Sequence, residues 1–562
     1  MLFQPSTPQA EQSLGEYPPL LRRLLFNRGY ATGQSARQYL NYQIPPGFEP
    51  ENLKGVAEAA DRILWGLKRQ QPIAIYGDYD ADGVTATALL VSVLEELGGM
   101  VQGYIPNRFD EGYGLNIEAL KELHDAGAQL VITVDCGIRS LKEARFAREL
   151  GLDLIITDHH QPLRELPEAV AVIDPKQPGE TYPEHILAGV GIAYKLAQAI
   201  LHNAGKLHSD PASVERTLDL VALGTVADLA PLVGENRILV SQGLRHLRNP
   251  RRQGVFSLIQ ASGLKTERIT AEDIGYILGP RLNAAGRIET AQDALSLLTT
   301  RAVENAGFLA QKLNQQNQER QKLTREIVDQ AATIALERGE DKILLFAAHP
   351  DFSSGIVGLA ASRLMEGYYR PAIVAQRGEE YTRGSCRSIP EFHITAALDQ
   401  CADLLEHHGG HAAAAGFTVR NKNLEELIGR LDQIAEDQLA GKELRPVLMA
   451  DAEIPLDDLK PEILSYLDML QPTGYGNPKA VFISRNVRVL RYRWVGKNET
   501  HLKLTLSGGK ITHDAIAFNQ DLWKDNLPAQ IDLAYTFEFN EFNGRQTLQL
   551  NVLDLKPCGA PD

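Results

Sequence analysis

Five aspartates and two histidines stand where their types and spacing could hold metal ions. Asp78, Asp80 and Asp82 alternate within YGDYDADG (76–83), Asp135 closes a hydrophobic run, and Asp158, His159 and His160 are consecutive. Carboxylates brought together repel one another unless protons or cations intervene. With two imidazoles added, a divalent cation is the simplest way to satisfy them. Mixed carboxylate and imidazole ligands suit Mn2+, and Mg2+ or Zn2+ fit as well. The acids outnumber the needs of one ion, which points to two ions roughly 3.5–4 Å apart.

The surrounding elements give these residues a reason to meet. Strands are predicted over 73–76, 101–105, 130–134, 154–156 and 170–173, with helices such as 84–97 and 141–150 between them. That alternation is the pattern of a mostly parallel, doubly wound sheet. Four of the strands run directly into an acid: Asp78, Asp135, Asp158 and Asp174. Ligands of such sheets bind beyond the carboxyl ends of the strands, so sequence-distant acids converge in one crevice. Asp174 precedes Pro175, and Asp-Pro at a strand end is an ordinary turn. On a straight strand Asp78 and Asp82 would lie roughly 13 Å apart, too far for neighbouring metals. The chain must bend inside the motif, and Gly77 and Gly83 flank it as the residues that permit the bend. A helix from Val84 then aims its N-terminus at the site, which favours phosphate there.

At 562 residues the chain is long enough for three or four domains. The first 45 residues read as short helices, and 185–300 is helix-rich. Residues 301–338 read as one long polar helix, with too little apolar surface for a core element, and fit a connector. A second α/β segment runs over 341–440 from a strand at 343–346. Strands dominate 445–558, including a hairpin of 531–539 with 546–553 about Asn543-Gly544, which suggests a small antiparallel barrel or sandwich. The net charge of −15 excludes a wholly basic nucleic-acid binder but not a local basic groove. The densest basic cluster, Arg245, Arg248, Arg251 and Arg252, reads as a solvated loop first and a phosphate-tracking patch second. Four cysteines without a CxxC pair indicate a reducing compartment, with neither disulfide framework nor structural zinc. No run approaches the roughly 18 apolar residues of a membrane span, and the N-terminus does not read as a secretory signal. A cytoplasmic location is expected.

Several motifs together carry a family resemblance. YGDYDADG (76–83), RFDEGYGLN (108–116), VDCG (134–137), TDHH (157–160), GVGIAYKL (189–196), VADLAPL (226–232), GPRLNAAGRI (279–288), SSGIVGLAASRL (353–364), GSCRS (384–388) and HGGHAAAAGF (408–417) follow in that order. The chain resembles the DHH phosphoesterase superfamily, and within it the bacterial exonucleases specific for single-stranded DNA. The resemblance covers essentially the whole chain. It implies a helical segment at 1–45, a DHH phosphoesterase domain with a parallel sheet at 46–300 and a connector helix at 301–340. A smaller α/β DHH-associated domain at 341–440 and a C-terminal OB-fold β-barrel at 441–562 would follow.

The resemblance also implies roles. Asp82, Asp135, His159 and Asp228 would hold one Mn2+ or Mg2+ ion, and Asp78 and Asp80 the other, with Asp135 shared. His160 would act at the scissile phosphate, making His160, Asp135 and Asp82 the catalytic residues, with Asp158 supporting the histidines. Arg108, Arg281 and Asn283 would contact phosphate, and Ser385, Arg387, Gly409, Gly410 and His411 would touch the strand. The implied activity is two-metal hydrolysis of single-stranded DNA from the 5′ end, releasing nucleoside 5′-monophosphates in DNA repair and recombination. Implied partners are single-stranded DNA, a single-strand-binding protein and a RecQ-type helicase, for a chain acting as a monomer. Two alternatives are a DHH hydrolase of short oligonucleotides or cyclic dinucleotides, and a non-catalytic replication scaffold. The long connector and the strand-rich C-terminal region favour a polymer; the complete ligand set argues against a scaffold. In that last region Tyr492, Trp494, Phe539 and Phe542 are either core or base-stacking residues.

Overall fold

Ile73–Gly77 (β1), Val101–Tyr104 (β2), Leu130–Val134 (β3), Asp153–Thr157 (β4) and Ala171–Ile173 (β5) form one sheet in the order β2-β1-β3-β4-β5. Every pairing in it is parallel. β1 and β3 are buried throughout, as expected of strands covered on both faces. Their side chains alternate between two cores. Ile73, Ile75, Leu130, Ile132 and Ile155 face a large core that includes the helices Val56–Lys68, Ala81–Glu96 and Gly189–Asn203. Ala74, Tyr76, Val131, Leu154 and Ile156 face a smaller one with Ile117–Asp125 and Leu141–Glu149. The computed structural model describes residues 7–559 except 109, 110, 113, 211, 497, 498, 521, 522, 525, 543 and 544. The expected Asn543-Gly544 turn, the side chain of Phe542, and Phe109, Asp110 and Tyr113 of the Arg108–Asn116 motif lie outside what is described.

The helix Val303–Glu337 is 35 residues long, about 50 Å at 1.5 Å per residue. Its first half puts Ala306, Leu309, Ala310 and Leu313 into the large core of the first sheet. Its second half gives Ile327, Ala331 and Ala335 to a different core, built on the second sheet. That sheet contains Leu345–His349 (β6), Ala372–Arg377 (β7), Tyr381–Arg387 (β8), Leu405–Gly410 (β9) and Ala414–Arg420 (β10), in the order β6-β7-β8-β10-β9. Only β6 and β7 are parallel; the remaining pairs are antiparallel.

The C-terminal strands are Ala452–Glu453 (β11), Phe482–Val495 (β12), His501–Ser507 (β13), Thr512–Ala517 (β14), Gln530–Phe542 (β15) and Arg545–Pro557 (β16). β12 to β16 close into a five-stranded barrel, because β12 pairs with both β13 and β15. The barrel is not wholly antiparallel: β14 and β16 run parallel. The N-terminal helices Pro8–Ser13, Pro19–Asn27 and Gly33–Leu40 bury Leu21, Leu24, Leu25 and Tyr39 in the same core cluster as this barrel. Arg237, only 1% exposed, ties that assembly to the first unit. Its guanidinium donates to the carbonyls of Tyr39, Met469 and Gln471 and stacks on Tyr39 and Tyr42. No helix among the described residues is long and apolar enough to cross a membrane. Cys136, Cys386 and Cys401 are buried and Cys558 is exposed, none of them in a disulfide.

Candidate metal centre

The bend expected within Asp78–Asp82 is made by ending the strand and starting a helix. β1 stops at Gly77, and the helix begins at Ala81, three residues before the predicted Val84. Asp80 is its N-cap: Oδ1 accepts from the Asp82 and Gly83 N–H groups at 2.8 and 3.1 Å. The glycines serve close approach rather than the bend, since neither has a left-handed φ. A Cβ on Gly83 would sit 2.5 Å from Asp78 N, and one on Gly77 would sit 2.0 Å from Thr87 Oγ1. The strand end and the helix N-terminus are thereby pressed together, which brings Asp78 and Asp82 within one site.

Asp82 is fully buried. Both its oxygens accept backbone N–H groups from the start of the helix Gly189–Asn203: Oδ2 from Gly189 at 2.7 Å and Oδ1 from Val190 at 2.8 Å. A Cβ on Gly224 would come within 2.8 Å of Asp82 Oδ1, so that glycine also leaves room for the carboxylate. Asp135, just past β3, has φ +62, a left-handed conformation that costs free energy for a non-glycine residue. A Cβ on Gly189 would lie 2.7 Å from Asp135 Cβ. Asp228 ends the helix Leu218–Ala227, and Leu229 after it has φ +59. Asp158 belongs to none of the candidate ligand groups among the described residues; it organises. Its Oδ1 accepts from the His159 and His160 N–H groups at 2.7 and 3.1 Å and lies 2.8 Å from His160 Nδ1, while Oδ2 accepts from Ile138 N. Asp174 is a turn residue: Oδ1 accepts from Lys176 N at 2.7 Å.

Burial and crowded like charge dominate the electrostatics of the site. Burial, and then the charge of Asp80, push Asp82 up to about 7. Burial and the Asp82 charge push Asp228 up to about 9. Burial and the neighbouring carboxylates raise Asp78 and Asp135 well above the ordinary carboxylate range. Burial and the adjacent His160 push His159 down to about 3, so its ring is neutral, as a ligand must be. Burial works against ionised Asp158, but the hydrogen bond and charge of His160 outweigh it and hold Asp158 below its ordinary value. For His160 burial is likewise outweighed, by Asp158, and the imidazole is raised.

Three overlapping candidate ligand groups emerge among the described residues, one of them Asp135, His159 and His160. Single ligand atoms of Asp82, His159 and Asp228 lie within 4.8 Å of one another, and so do those of Asp78, Asp80 and Asp135. His159 Nε2 is 3.0 Å from Asp135 Oδ1, 3.9 Å from Asp228 Oδ2 and 4.0 Å from Asp82 Oδ2. Asp78 Oδ1, Asp135 Oδ1 and His159 Nε2 are buried without a hydrogen-bond partner. Buried polar atoms are normally satisfied. Three orphans pointing into one oxygen- and nitrogen-lined space fit divalent ions of the Mn2+ or Mg2+ kind.

The expected phosphate-contacting residues are more scattered. Arg108 lies over the Tyr79 ring at 5.1 Å, beside the motif. Asn283 Oδ1 accepts from Ala81 N at 2.7 Å and so anchors the start of the metal-bearing helix. Arg281, on the same helix Gly279–Ile288, donates to Asn314 Oδ1 and Ile277 O. Ser385 and Arg387 lie on β8, where Arg387 donates to Ser385 Oγ at 3.2 Å. Gly409 and Gly410 end β9, and His411 follows. Arg252, in the loop just before the helix Gln253–Ala261, is not a solvated residue: it bonds Asp219, Ser92 Oγ and Leu298 O and knits helices together. Sequence reasoning did not pick out Arg287. Burial, Arg108 and Arg320 push it down to about 10, and it donates to Gly355 O across to the second sheet's unit. No local pattern marks it, since its role depends on a contact 68 residues along the chain. Of the C-terminal aromatics, Tyr492 and Phe539 are exposed and Trp494 packs partly on the barrel core.

Comparison with known proteins gives the same domain architecture. The model of the DHH family N-terminal domain matches residues 72–225, that of the DHHA1 domain 339–437, and that of the RecJ OB domain 450–554. The chain is 41% identical over 540 residues to the single-stranded-DNA-specific exonuclease RecJ of Bacillus subtilis, covering 95% of this chain and 68% of that one. It is 36% identical over 563 residues to the Escherichia coli protein of the same description, covering 96% of each. Among solved structures, RecJ from Thermus thermophilus in complex with Mn2+ superposes with a TM-score of 0.85 at 30% identity, covering 100% of this chain and 79% of that one.

Proposed function

Since the chain belongs to the RecJ family of single-stranded-DNA-specific exonucleases, we propose that it degrades single-stranded DNA from the 5′ end with two metal ions. The observation that carries this reading is the trio of orphaned buried atoms, Asp78 Oδ1, Asp135 Oδ1 and His159 Nε2, at the carboxyl edge of the parallel sheet. Asp82, His159 and Asp228 would hold one Mn2+ or Mg2+ ion, Asp78 and Asp80 the other, with Asp135 shared between them. Such ions, when bound, neutralise phosphate charge and supply a nucleophile from water near neutral pH.

The chain's own groups do the rest. Asp158 fixes the His160 ring through Nδ1, so that Nε2 addresses the scissile phosphate. The Asp158 hydrogen bond raises His160, which favours its protonated form at the developing charge. The Gly189 and Val190 N–H groups favour the ionised form of Asp82 against the burial that opposes it. Arg108 and Arg281 would grip phosphate, with Asn283 placing the helix beneath it. Ser385, Arg387, Gly409, Gly410 and His411 would guide the strand, and the barrel would hold its distal part. The division of labour is 46–300 for hydrolysis, 301–340 for spacing, 341–440 and 441–562 for the strand, and 1–45 as a brace. The protein would act as a cytoplasmic monomer in DNA repair and recombination. A single-strand-binding protein and a RecQ-type helicase would present its substrate.

The test uses single strands labelled at either end and a blunt duplex, each with Mn2+. Early mononucleotide release from the 5′ label alone, with the duplex intact, is expected. Release first from the 3′ label, or equal attack on the duplex, would overturn the reading.

A further inference from the structure

His513 is a polar residue where the barrel calls for an apolar one. Along β13 and β14 inward side chains alternate with more exposed ones, and Leu502, Leu504, Leu506, Ala515 and Ala517 all enter the barrel core. His513 takes the remaining inward position, opposite Leu506, and is 6% exposed. Burial lowers the imidazole and keeps it neutral; a hydrogen bond with the Leu456 backbone works the other way, as donation to a carbonyl does. The ring nitrogen that donates is Nδ1, because Nε2 has no hydrogen-bond partner among the described residues. Nδ1 thus ties the short helix Leu456–Asp458 to the barrel, and Nε2 presents a lone pair. Buried polar atoms are normally paired, so this one needs a reason.

A cavity supplies the reason. It has a volume of about 410 Å³, with His513 in its wall. Pockets that bind small groups span roughly 300–1,000 Å³. Leu459, Pro461, Ile511 and Leu548 give it aliphatic walls, while Lys460, Thr512 and Asp514 line it as exposed polar residues. Ile511 is 38% exposed although it is apolar. An apolar centre inside a polar rim, with one directed acceptor, has the form of an anchor pocket in a protein interface. Its lining comes from residues 459–548, whereas the candidate metal ligands lie within 78–228.

The lining selects the occupant. One lysine and one aspartate balance, so a charged group gains nothing there. A nucleobase carries several donors and acceptors on its edges, and most would go unpaired against aliphatic walls. A phenol brings acceptor lone pairs as well as a donor. Indole has a single N–H, no acceptor and a large apolar body, which matches one lone pair among aliphatic side chains. We propose that this pocket receives the tryptophan side chain of a partner protein, whose indole N–H donates to His513 Nε2. The site is a docking surface of the barrel, separate from the metal centre, and does not rest on the exonuclease reading.

The probe is N-acetyltryptophanamide, a blocked and neutral tryptophan, titrated into the full chain with isotope-labelled isoleucine and leucine methyl groups. The Ile511 and Leu548 methyl signals should shift. The analogue methylated at the indole nitrogen should bind roughly ten-fold more weakly, since it fills the walls but cannot donate. In His513→Asn the amide nitrogen can keep the Leu456 bond while the second acceptor is gone, so the two probes should bind alike. The comparison on unaltered protein decides even where that variant is unstable. Absent shifts, or equal binding of both probes to wild type, would overturn the site. Tighter binding of deoxyadenosine would make it a base site, and tighter binding of free tryptophan an amino-acid site; either overturns the proposal. In a last arm, a saturating single strand is added to Asp135→Asn protein. The probe shifts should persist, and displacement by the strand would overturn the docking surface as a separate site.

Discussion

The two sheets treat charge in opposite ways. Around the second sheet, several charged groups are solvent-accessible and matched. Arg420 pairs with Glu406 and Glu380 at 2.7 and 3.3 Å, and Arg430 with Asp403 and Glu426 at 2.8 and 2.5 Å. At the carboxyl edge of the first sheet, acids are buried, crowded and unmatched, and Asp78, Asp135 and His159 each keep an orphaned atom. Surface pairs of the first kind contribute little to stability. Buried charges of the second kind are costly, and a fold retains them where a ligand supplies the missing partner. The contrast teaches where to look: function lies where the fold leaves charge unanswered.

The contrast breaks most sharply at Asp135. Asn tolerates its left-handed φ and keeps its shape while removing the charge. Asp135→Asn should lower exonuclease turnover by about 10³-fold or more at saturating Mn2+, read with end-labelled single strands. Its metal-free melting temperature should not fall, because a carboxylate crowded by Asp82, Asp80 and Asp78 has been neutralised. Near-normal turnover would show that the orphaned set is not the centre.

Gly189→Ala comes next. The added Cβ would press on Asp135 from 2.7 Å and shift it. We expect a loss of about 10²-fold in kcat, as for a misplacement of the order of 1 Å, with binding of single-stranded DNA largely kept in a filter or fluorescence assay. Wild-type kcat would mean that Asp135 tolerates displacement.

Metal should answer the charge directly. At about a hundred times its Kd, one ion bound only to the folded state adds about 2.7 kcal/mol. Mn2+ should therefore raise the melting temperature of the first unit by about 5–10 °C. The rise should shrink by more than half in Asp135→Asn. A calorimetric trace that ignores Mn2+ would leave the buried acids without an explanation.

The smallest effect is the control. Arg420→Ala on β10 removes two solvent-accessible ion pairs. Melting temperature and cleavage should match wild type within error, and a clear loss in either would mean that the second sheet's charges are not inert.

Much of this architecture could be read from residues alone. The strands of the first sheet are runs of β-branched and aliphatic residues ending in acids, so their existence and shared edge follow from periodicity. Asp78, Asp80, Asp135, His159 and His160 are visible for the same reason. Asp228 is not: it closes a helix far along the chain, and only the family resemblance marks it. Gly77 and Gly83 were noticed for the wrong property, since a sequence shows flexibility but not what a Cβ would strike. The earlier helix start, at Ala81, turns on Asp80 acting as cap as well as ligand. Gly189, Val190, Asn283 and Arg287 act through tertiary contacts with partners about 70 to 200 residues away. Local pattern carries no trace of them.

The long helix Val303–Glu337 has a mechanical meaning. One half is cemented into the core of the first sheet and the other into that of the second unit. It works as a ruler rather than a tether, with no slack to be lost when a strand arrives. Distance and phase between the two units are counted in residues. One inserted residue would turn the second unit by about 100° and move it about 1.5 Å, whereas seven would nearly restore its facing and widen the gap by about 10 Å. The spacing of the two units is thus written in the length of a single helix.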